Sequence, residues 1–255
     1  MWGLGTAYEA YVGRWSRRVA EVFVSWLDVP PDRAWLDAGS GTGALTSAIV
    51  AAARPVSVTG VDPSVPFLTA ARAAGPALLC AGDAAALPLA SGSFHAVVSG
   101  LALNFVPRPE AAVREFARVA APGGVTAAYV WDYRNGMAMM REFWTAAADL
   151  DPAAAALDES RRFAFCREDV LAGWWASAGF RDVSTRRIEI PTVFTGFDDF
   201  WQPFLGGQGP APAYVASLPA ERRDALRELL RDRLPAAADG SIAMTAAAWA
   251  VRGTA

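Results

Sequence analysis

The chain of 255 residues contains no lysine; its 23 basic residues are all arginine. That absence removes Schiff-base chemistry, a phosphate-cradling P-loop lysine and the Tyr-x-x-x-Lys pair of short-chain dehydrogenases. Histidine occurs once, at His95, and cysteine twice, at Cys80 and Cys166. A His/Cys zinc site and a disulfide framework are therefore not expected, and no Gly-x-Ser-x-Gly elbow accompanies the lone histidine. Long apolar runs are missing too. Hydrophobic residues make up 53% and mean hydropathy is +0.21, yet no apolar stretch reaches the roughly 18 residues of a membrane span. The N-terminus, with Glu9, Arg14, Arg17, Arg18 and Glu21, lacks a signal-peptide core, so no membrane partner and a cytoplasmic location are expected. Net charge is −3, and Arg222, Arg223, Arg227, Arg231 and Arg233 alternate with Glu221, Asp224, Glu228 and Asp232. Such a face is solvated and laced with ion pairs, and nucleic acid is not an expected partner.

What is present begins with Trp35-Leu36-Asp37-Ala38-Gly39-Ser40-Gly41-Thr42-Gly43. A short apolar strand (Ala34, Trp35, Leu36) runs into three alternate glycines, and an Ala/Leu/Ile-rich helix follows over about 42–53. Glycine is required where the backbone takes positive φ or must approach a ligand without a Cβ. Between a strand and a helix N-terminus, such a loop receives a nucleoside-bearing ligand at the C-terminal edge of a parallel sheet.

The next strands sharpen this. Val56, Val58 and Val61 predict a buried strand ending in Asp62, nineteen positions beyond Gly43, where a carboxylate accepts bonds from both ribose hydroxyls. A third strand, 77–80, expected to be buried and to hold Cys80 inside it, leads to Gly82-Asp83, and a fourth spans 94–99. Acidic groups thus stand at three strand tips: Asp37, Asp62 and Asp83. The dinucleotide fingerprint is G-x-G-x-x-G around a pyrophosphate; here the spacing is Gly39-x-Gly41-x-Gly43, with Asp37 beside it. A carboxylate repels phosphate and attracts a sulfonium or an ammonium. The ligand expected is a positively charged nucleoside.

Taken in order, Leu36 to Gly43, Gly60-Val61-Asp62-Pro63-Ser64, Gly82-Asp83-Ala84 with Leu87-Pro88, Ser93 to Ser99, and Ala121-Pro122-Gly123-Gly124 resemble the class I S-adenosylmethionine-dependent methyltransferases. The resemblance covers roughly residues 33–132. It implies a doubly wound α/β fold with a mostly parallel seven-stranded sheet and a C-terminal antiparallel strand. It implies S-adenosyl-L-methionine as cofactor, with Asp37, Gly39, Ser40, Gly41, Thr42 and Gly43 facing its methionine end. Asp62 with Pro63 would bind the ribose, Asp83 and Ala84 would read the adenine, and Ser99 and Leu101 would complete the site. One position departs from the family: His95 stands where an acidic residue is usual, at the strand end away from the site, where it is expected to be partly exposed.

The chain is organised as a single domain over 1–255. A helical lid is expected over 7–27, with Tyr8, Tyr11, Val12, Trp15, Val19, Val22, Phe23 and Trp26 at helical spacing, and the cofactor core over 33–133. Cap insertions are expected at 134–166 and 191–235, the latter opening on Phe194, Phe197, Phe200, Trp201, Phe204 and the glycines of 206–209. Arg14 and Trp15 are expected to close over the methionine end, with core packing of the lid helix the equal alternative for Trp15. Tyr8, Tyr11, Asn104, Asp132 and Tyr133 lie near strand tips, each expected in a structural or cofactor-contact role before proton transfer. No catalytic base, metal site or oligomeric state is assigned. The cap's aromatic content points to a small, apolar or aromatic methyl acceptor. Two alternatives stand: a non-catalytic S-adenosylmethionine-binding protein, and an NAD(P)-dependent oxidoreductase.

Overall fold

A computed structural model describes residues 13–75, 77–206 and 209–255. Helix α1 is Arg14–Leu27, and its expected first turns with Tyr8, Tyr11 and Val12 lie outside the described residues, as do Gly207 and Gln208. The alternating core then follows as β1 Ala34–Ala38, α2 Ala44–Ala52, β2 Ser57–Asp62, α3 Val65–Ala71, β3 Leu78–Ala81, β4 Phe94–Gly100, α4 Pro109–Val119 and β5 Ala120–Trp131. Next come α5 Ala138–Leu150, α6 Glu159–Arg162, α7 Glu168–Ser177, β6 Arg181–Phe194, α8 Phe197–Trp201, α9 Pro210–Ser217, α10 Ala220–Arg233 and β7 Ile242–Thr254.

The seven strands form one sheet in the order β3-β2-β1-β4-β5-β7-β6. The pairs β1/β2, β1/β4, β2/β3 and β4/β5 are parallel, and β5/β7 is antiparallel. This is the expected sheet, mostly parallel with a reversed C-terminal strand. Parallel strands require crossovers; α2, α3 and α4 supply those from β1 to β2, β2 to β3 and β4 to β5, and the irregular segment 82–93 carries the chain from β3 to β4. Because β1 to β4 point the same way, the loops that leave them gather at one sheet edge.

Two expectations of burial fail, for one reason each. Val56 is 68% exposed because β2 begins only at Ser57, leaving Val56 on the approach to it. Cys80 is half-buried rather than interior, because β3 is the outermost strand and has no neighbour on its far side. His95 is exposed on β4, as expected of a strand end, with Nδ1 3.4 Å from the Ala34 N–H.

The chain divides into two compact units. One comprises Ser16–Trp131, Phe165–Ile188 and Ala248–Ala255. Its interior is built on Trp35, Leu36, Val97, Val98, Phe116, Ala128 and Trp175, all fully buried. Trp175 donates its indole N–H to the Thr126 carbonyl at 2.9 Å, so even this large core residue has its polar atom satisfied. Arg252 donates to the carbonyls of Trp26 and Leu27 at 3.1 and 3.2 Å, placing a cation on the C-terminus of α1 that the helix itself lacks.

The described residues of the other unit are 13–15 and those within Asp132–Ala164 and Glu189–Ala247. It is largely helical, and its interior is aromatic. Phe143 stacks on Phe204 with centroids 4.4 Å apart, and Phe194 meets Phe200 edge-on at 5.3 Å. Phe194, Phe200, Trp201 and Phe204 are buried and Phe197 is half-buried, so most of the aromatic excess over 194–204 is core that lets these short helices fold. Ion pairs Arg227–Asp198 at 3.1 Å and Arg233–Asp149 at 2.6 Å tether α10 at its exposed side, each worth about 0–1 kcal/mol.

Candidate functional site

Asp37 sits within β1 and is 1% exposed. Oδ2 accepts from the Thr46 hydroxyl of α2 at 2.7 Å, and Oδ1 has no hydrogen-bond partner among the described residues. Burial pushes its carboxyl up to about 7, against the opposing pull of the Thr46 hydroxyl, and the nearby Asp62 charge adds to the rise. A buried carboxyl with one open oxygen is costly unless something answers it.

The glycine loop turns immediately beyond. Gly39, Gly41 and Gly43 all take positive φ, at 80°, 52° and 90°, so the alternation of glycines is a run of left-handed turns that delivers the chain to the start of α2. Crowding adds to this at Gly39, where a Cβ would stand 2.4 Å from that of Ala102. Gly39→Ala combines overpacking with a left-handed alanine and is expected to destabilise the fold by about 2–4 kcal/mol. Denaturant unfolding of the variant measures this, and an unchanged midpoint would contradict it.

The loop is stapled to the end of β2. Gly39 and Ser40 donate their N–H groups to the Val61 carbonyl at 2.7 and 3.1 Å, and Gly41 donates to Asp62 Oδ2 at 2.9 Å. Asp62 Oδ1 accepts from the Ser64 N–H at 2.8 Å, and Ser64 caps α3 through its hydroxyl, 3.4 Å from the Phe67 N–H. Asp62 therefore holds the loop in place with its own side chain. Sequence spacing read it only as a ligand contact.

Asp83 is exposed, two residues past β3, and closes a turn by accepting from the Ala85 N–H at 2.8 Å; Ala84 beside it is buried. The segment that follows is locked by two α4 residues that the sequence did not single out. Glu115 accepts from the Leu87 N–H at 2.8 Å, and Arg118 donates to the carbonyls of Leu87 and Leu89 at 3.0 and 2.8 Å while pairing with Glu115. The Arg118 guanidinium, first among several causes, holds the Glu115 carboxyl below its usual range.

Beyond β4, Ser99 is buried and Leu101 holds a positive φ of 56°, which a branched side chain rarely adopts; its N–H donates to the Tyr129 carbonyl at 2.8 Å. Retained strain of this kind clusters where a ligand or catalytic group must be placed. Asn104 follows in a short 3-10 turn, 6% exposed, with neither amide atom partnered among the described residues. Ser40 Oγ is likewise buried and open among them.

Of the residues singled out from the sequence, Asp37, Gly39, Ser40, Gly41, Thr42, Gly43, Asp62, Pro63, Asp83, Ala84, Ser99 and Leu101 all belong to the unit that carries the parallel strands. Arg14 belongs to the helical unit, with Asp132 and Tyr133. Its Nη1 donates to Asp199 Oδ1 at 2.8 Å, and its guanidinium lies 4.5 Å from the Trp15 ring centroid and 4.8 Å from that of Phe194. Trp15 packs edge-on against Phe194 at 5.6 Å and is buried, which is the packing alternative for that residue. Asp132 accepts from the Asn135 N–H at 3.0 Å, and Tyr133 lies against Phe163 at 4.6 Å. Among the described residues no group of three or more His, Cys, Asp or Glu side chains is placed to hold a metal ion, and no helix is long and apolar enough to cross a membrane.

A glycine loop on the first strand of a 3-2-1-4-5-7-6 sheet, with carboxylates on successive strands and β7 reversed, defines a nucleoside-binding α/β fold of the methyltransferase type. Comparison with known proteins agrees. Residues 36–128 match the family model described as a methyltransferase domain. The chain is 30% identical to the demethylmenaquinone methyltransferase of Renibacterium salmoninarum, over 69% of this chain and 76% of that one. It is 32% identical to the protein of the same name from Paenarthrobacter aurescens, over 68% and 72%. In fold it resembles phosphoethanolamine N-methyltransferase 2 of Haemonchus contortus, solved with S-adenosyl-L-methionine, with a TM-score of 0.58 at 14% identity over 96% of this chain and 56% of that one. The chain belongs to the class I S-adenosylmethionine-dependent methyltransferases. It is a methyltransferase enzyme, and its cofactor is S-adenosyl-L-methionine.

Proposed function

We propose that the enzyme methylates a small, apolar or aromatic molecule, with the donor held by the glycine-loop unit and the acceptor by the aromatic helical unit, in the cytoplasm and without a nucleic-acid partner. The observation that carries the acceptor reading is the aromatic interior of the helical unit, with Phe143, Trp144, Phe204 and Tyr214 forming one cluster of rings. Pockets for small organic ligands are lined mainly by such side chains with a few polar groups, and a unit this rich in them supplies that lining around its packed core. The two relatives named for demethylmenaquinone support the same chemistry.

The residues present fit the donor. Asp37 Oδ1, Ser40 Oγ and the Asn104 amide are buried polar atoms without partners among the described residues, and a ligand rich in polar groups answers them. In this reading Asp37 and the loop 39–43 face the methionine end. Asp62 accepts from the ribose with lone pairs left over from Gly41 and Ser64, Pro63 flanks it, and Asp83 and Ala84 read the adenine. Ser99 and Leu101 shape the remaining wall. Arg14, whose Nε and Nη2 are buried and open among the described residues, is suited to a carboxylate. When bound, S-adenosylmethionine supplies an electrophilic methyl group on a sulfonium. Transfer from it is an in-line displacement, which is fastest where the acceptor's lone pair is aligned and water is excluded.

Asp37 makes donor affinity depend on pH. Its carboxyl titrates near 7, so it is largely neutral at pH 6 and ionised at pH 8. Only the ionised form attracts a cationic ligand, and affinity is reduced by the fraction that is not competent. Donor binding is expected to tighten by about tenfold from pH 6 to pH 8, and the dependence to flatten in Asp37→Asn. Calorimetry at the two pH values tests this; parallel profiles for both proteins would remove Asp37 from the donor site.

The acceptor reading is tested with methyl-labelled donor and a panel of hydroquinones, phenols and aromatic amines set beside total protein and RNA. Label in an aromatic small molecule is the expected result. Label only in protein or RNA overturns it, and donor binding without turnover on any class identifies a non-catalytic binder.

A further inference from the structure

Glu159 is an anomaly in the helical unit. It opens the short helix α6 and is 3% exposed, although a glutamate is almost never interior without a cation or full hydrogen bonding. One oxygen, Oε2, accepts from the Trp144 indole N–H. The other, Oε1, is buried and has no hydrogen-bond partner among the described residues. No cation among them answers the side chain either: the charged group whose field acts on it is Asp158, of the same sign. Burial pushes the carboxyl up to about 7, against the Trp144 N–H, with the backbone N–H groups of Glu159 and Ala211 opposing more weakly.

Its surroundings are rings. Trp144 touches Phe143 at 5.1 Å edge-on and Tyr214 at 5.7 Å, and Phe143 in turn stacks on Phe204. A purely structural partner for one indole N–H would be served as well by a glutamine, which needs no charge in an apolar interior. A carboxyl kept there with one oxygen open is suited instead to capturing an N–H or O–H on something that also fills aromatic space.

We propose that Glu159 is the polar anchor for the small molecule taken by the helical unit, and that this molecule is an aromatic ring carrying a hydrogen-bond donor, a phenolic hydroxyl or a ring-borne ammonium. The proposal rests on the acceptor reading above and narrows it: apolar molecules without a donor, and acids, are poor ligands. Glu159 selects the ligand through one hydrogen bond, while the rings contribute contact area without discrimination.

The test uses four naphthalenes of nearly one shape: 2-naphthol, 2-naphthylmethylamine, 2-methoxynaphthalene and 2-naphthoate. Each is titrated into the protein saturated with S-adenosylhomocysteine, for the wild type and Glu159→Gln. The glutamine keeps an oxygen for the Trp144 N–H, and S-adenosylhomocysteine affinity monitors folding of the variant. In the wild type, the naphthol and the amine are expected to bind at least tenfold more tightly than the methoxy and carboxylate compounds. In Glu159→Gln the amine is expected to lose at least tenfold and the naphthol less, with the methoxy compound unchanged. Loss for the amine alone identifies an ammonium ligand, and loss for both a neutral or charged donor in general. Equal binding of all four to the wild type, or discrimination retained in the variant, overturns the role of Glu159 while leaving an aromatic acceptor intact. If no naphthalene binds the wild type at all, the aromatic acceptor reading falls and the Glu159 inference with it.

Discussion

Asp62→Ala is expected to weaken donor affinity by about 10- to 100-fold, or about 1.5–3 kcal/mol. Two losses combine in it. The ribose hydroxyls lose a charged acceptor, and the Gly41 and Ser64 N–H groups, at 2.9 and 2.8 Å from the carboxylate, lose their partner. The second loss also touches the fold, because it removes one of the bonds that hold the glycine loop to the end of β2, leaving those of Gly39 and Ser40 to Val61. Thermal unfolding without ligand is therefore expected to drop as well, where a pure ligand contact would leave it unmoved. Asp62→Asn separates the two effects, since the amide keeps an acceptor for one N–H and removes the charge. Calorimetry and unfolding on both variants measure this, and unchanged donor affinity in a folded Asp62→Ala would show that the ribose lies elsewhere.

Phe204→Ala is expected to destabilise the protein by about 3–5 kcal/mol, the range for deleting a buried phenylalanine. Its ring is fully buried, stacked on Phe143, and flanked by Phe200 at 5.4 Å and Trp201 at 6.0 Å. The cavity left cannot close easily, because its neighbours are rigid rings packed on one another. Loss of turnover in this variant would thus report loss of packing before loss of an acceptor contact. Glu159→Gln is the better probe of acceptor recognition. Denaturant unfolding of Phe204→Ala tests the packing, and a loss below about 1 kcal/mol would mean that the aromatic interior is loose enough to yield.

How far the sequence reached depended on whether a signal was local. The Gly39-Gly41-Gly43 alternation and the carboxylates Asp37, Asp62 and Asp83 were legible because a strand, a turn and a helix N-terminus follow one another within a few residues. Asp62's second duty was not legible, since its bond to Gly41 joins residues from two different strand ends. The same holds for Arg118, whose acceptors at Leu87 and Leu89 lie some thirty positions back, and which reads as an ordinary exposed helix charge. Thr46 looks like filler in an alanine-rich helix until its hydroxyl is seen 2.7 Å from Asp37. Glu159 was the least accessible, because a run of Asp158-Glu159-Ser160-Arg161-Arg162 suggests a solvated turn, and only tertiary packing buries its second residue. Val56 and Cys80 erred in the opposite direction. Apolar character in a strand predicts burial only if the strand is internal and the residue lies within it, and neither condition is written in the local sequence.

Donor identity is tested most directly by thermal unfolding with S-adenosylmethionine, S-adenosylhomocysteine and NADH, each added separately. A ligand that binds only the folded state at 100 times its dissociation constant stabilises it by about 2.7 kcal/mol. A clear rise in melting temperature is expected with both sulfur nucleosides and none with NADH. A rise with NADH and none with either sulfur nucleoside would contradict the assignment of the glycine loop and its carboxylates to a cationic nucleoside.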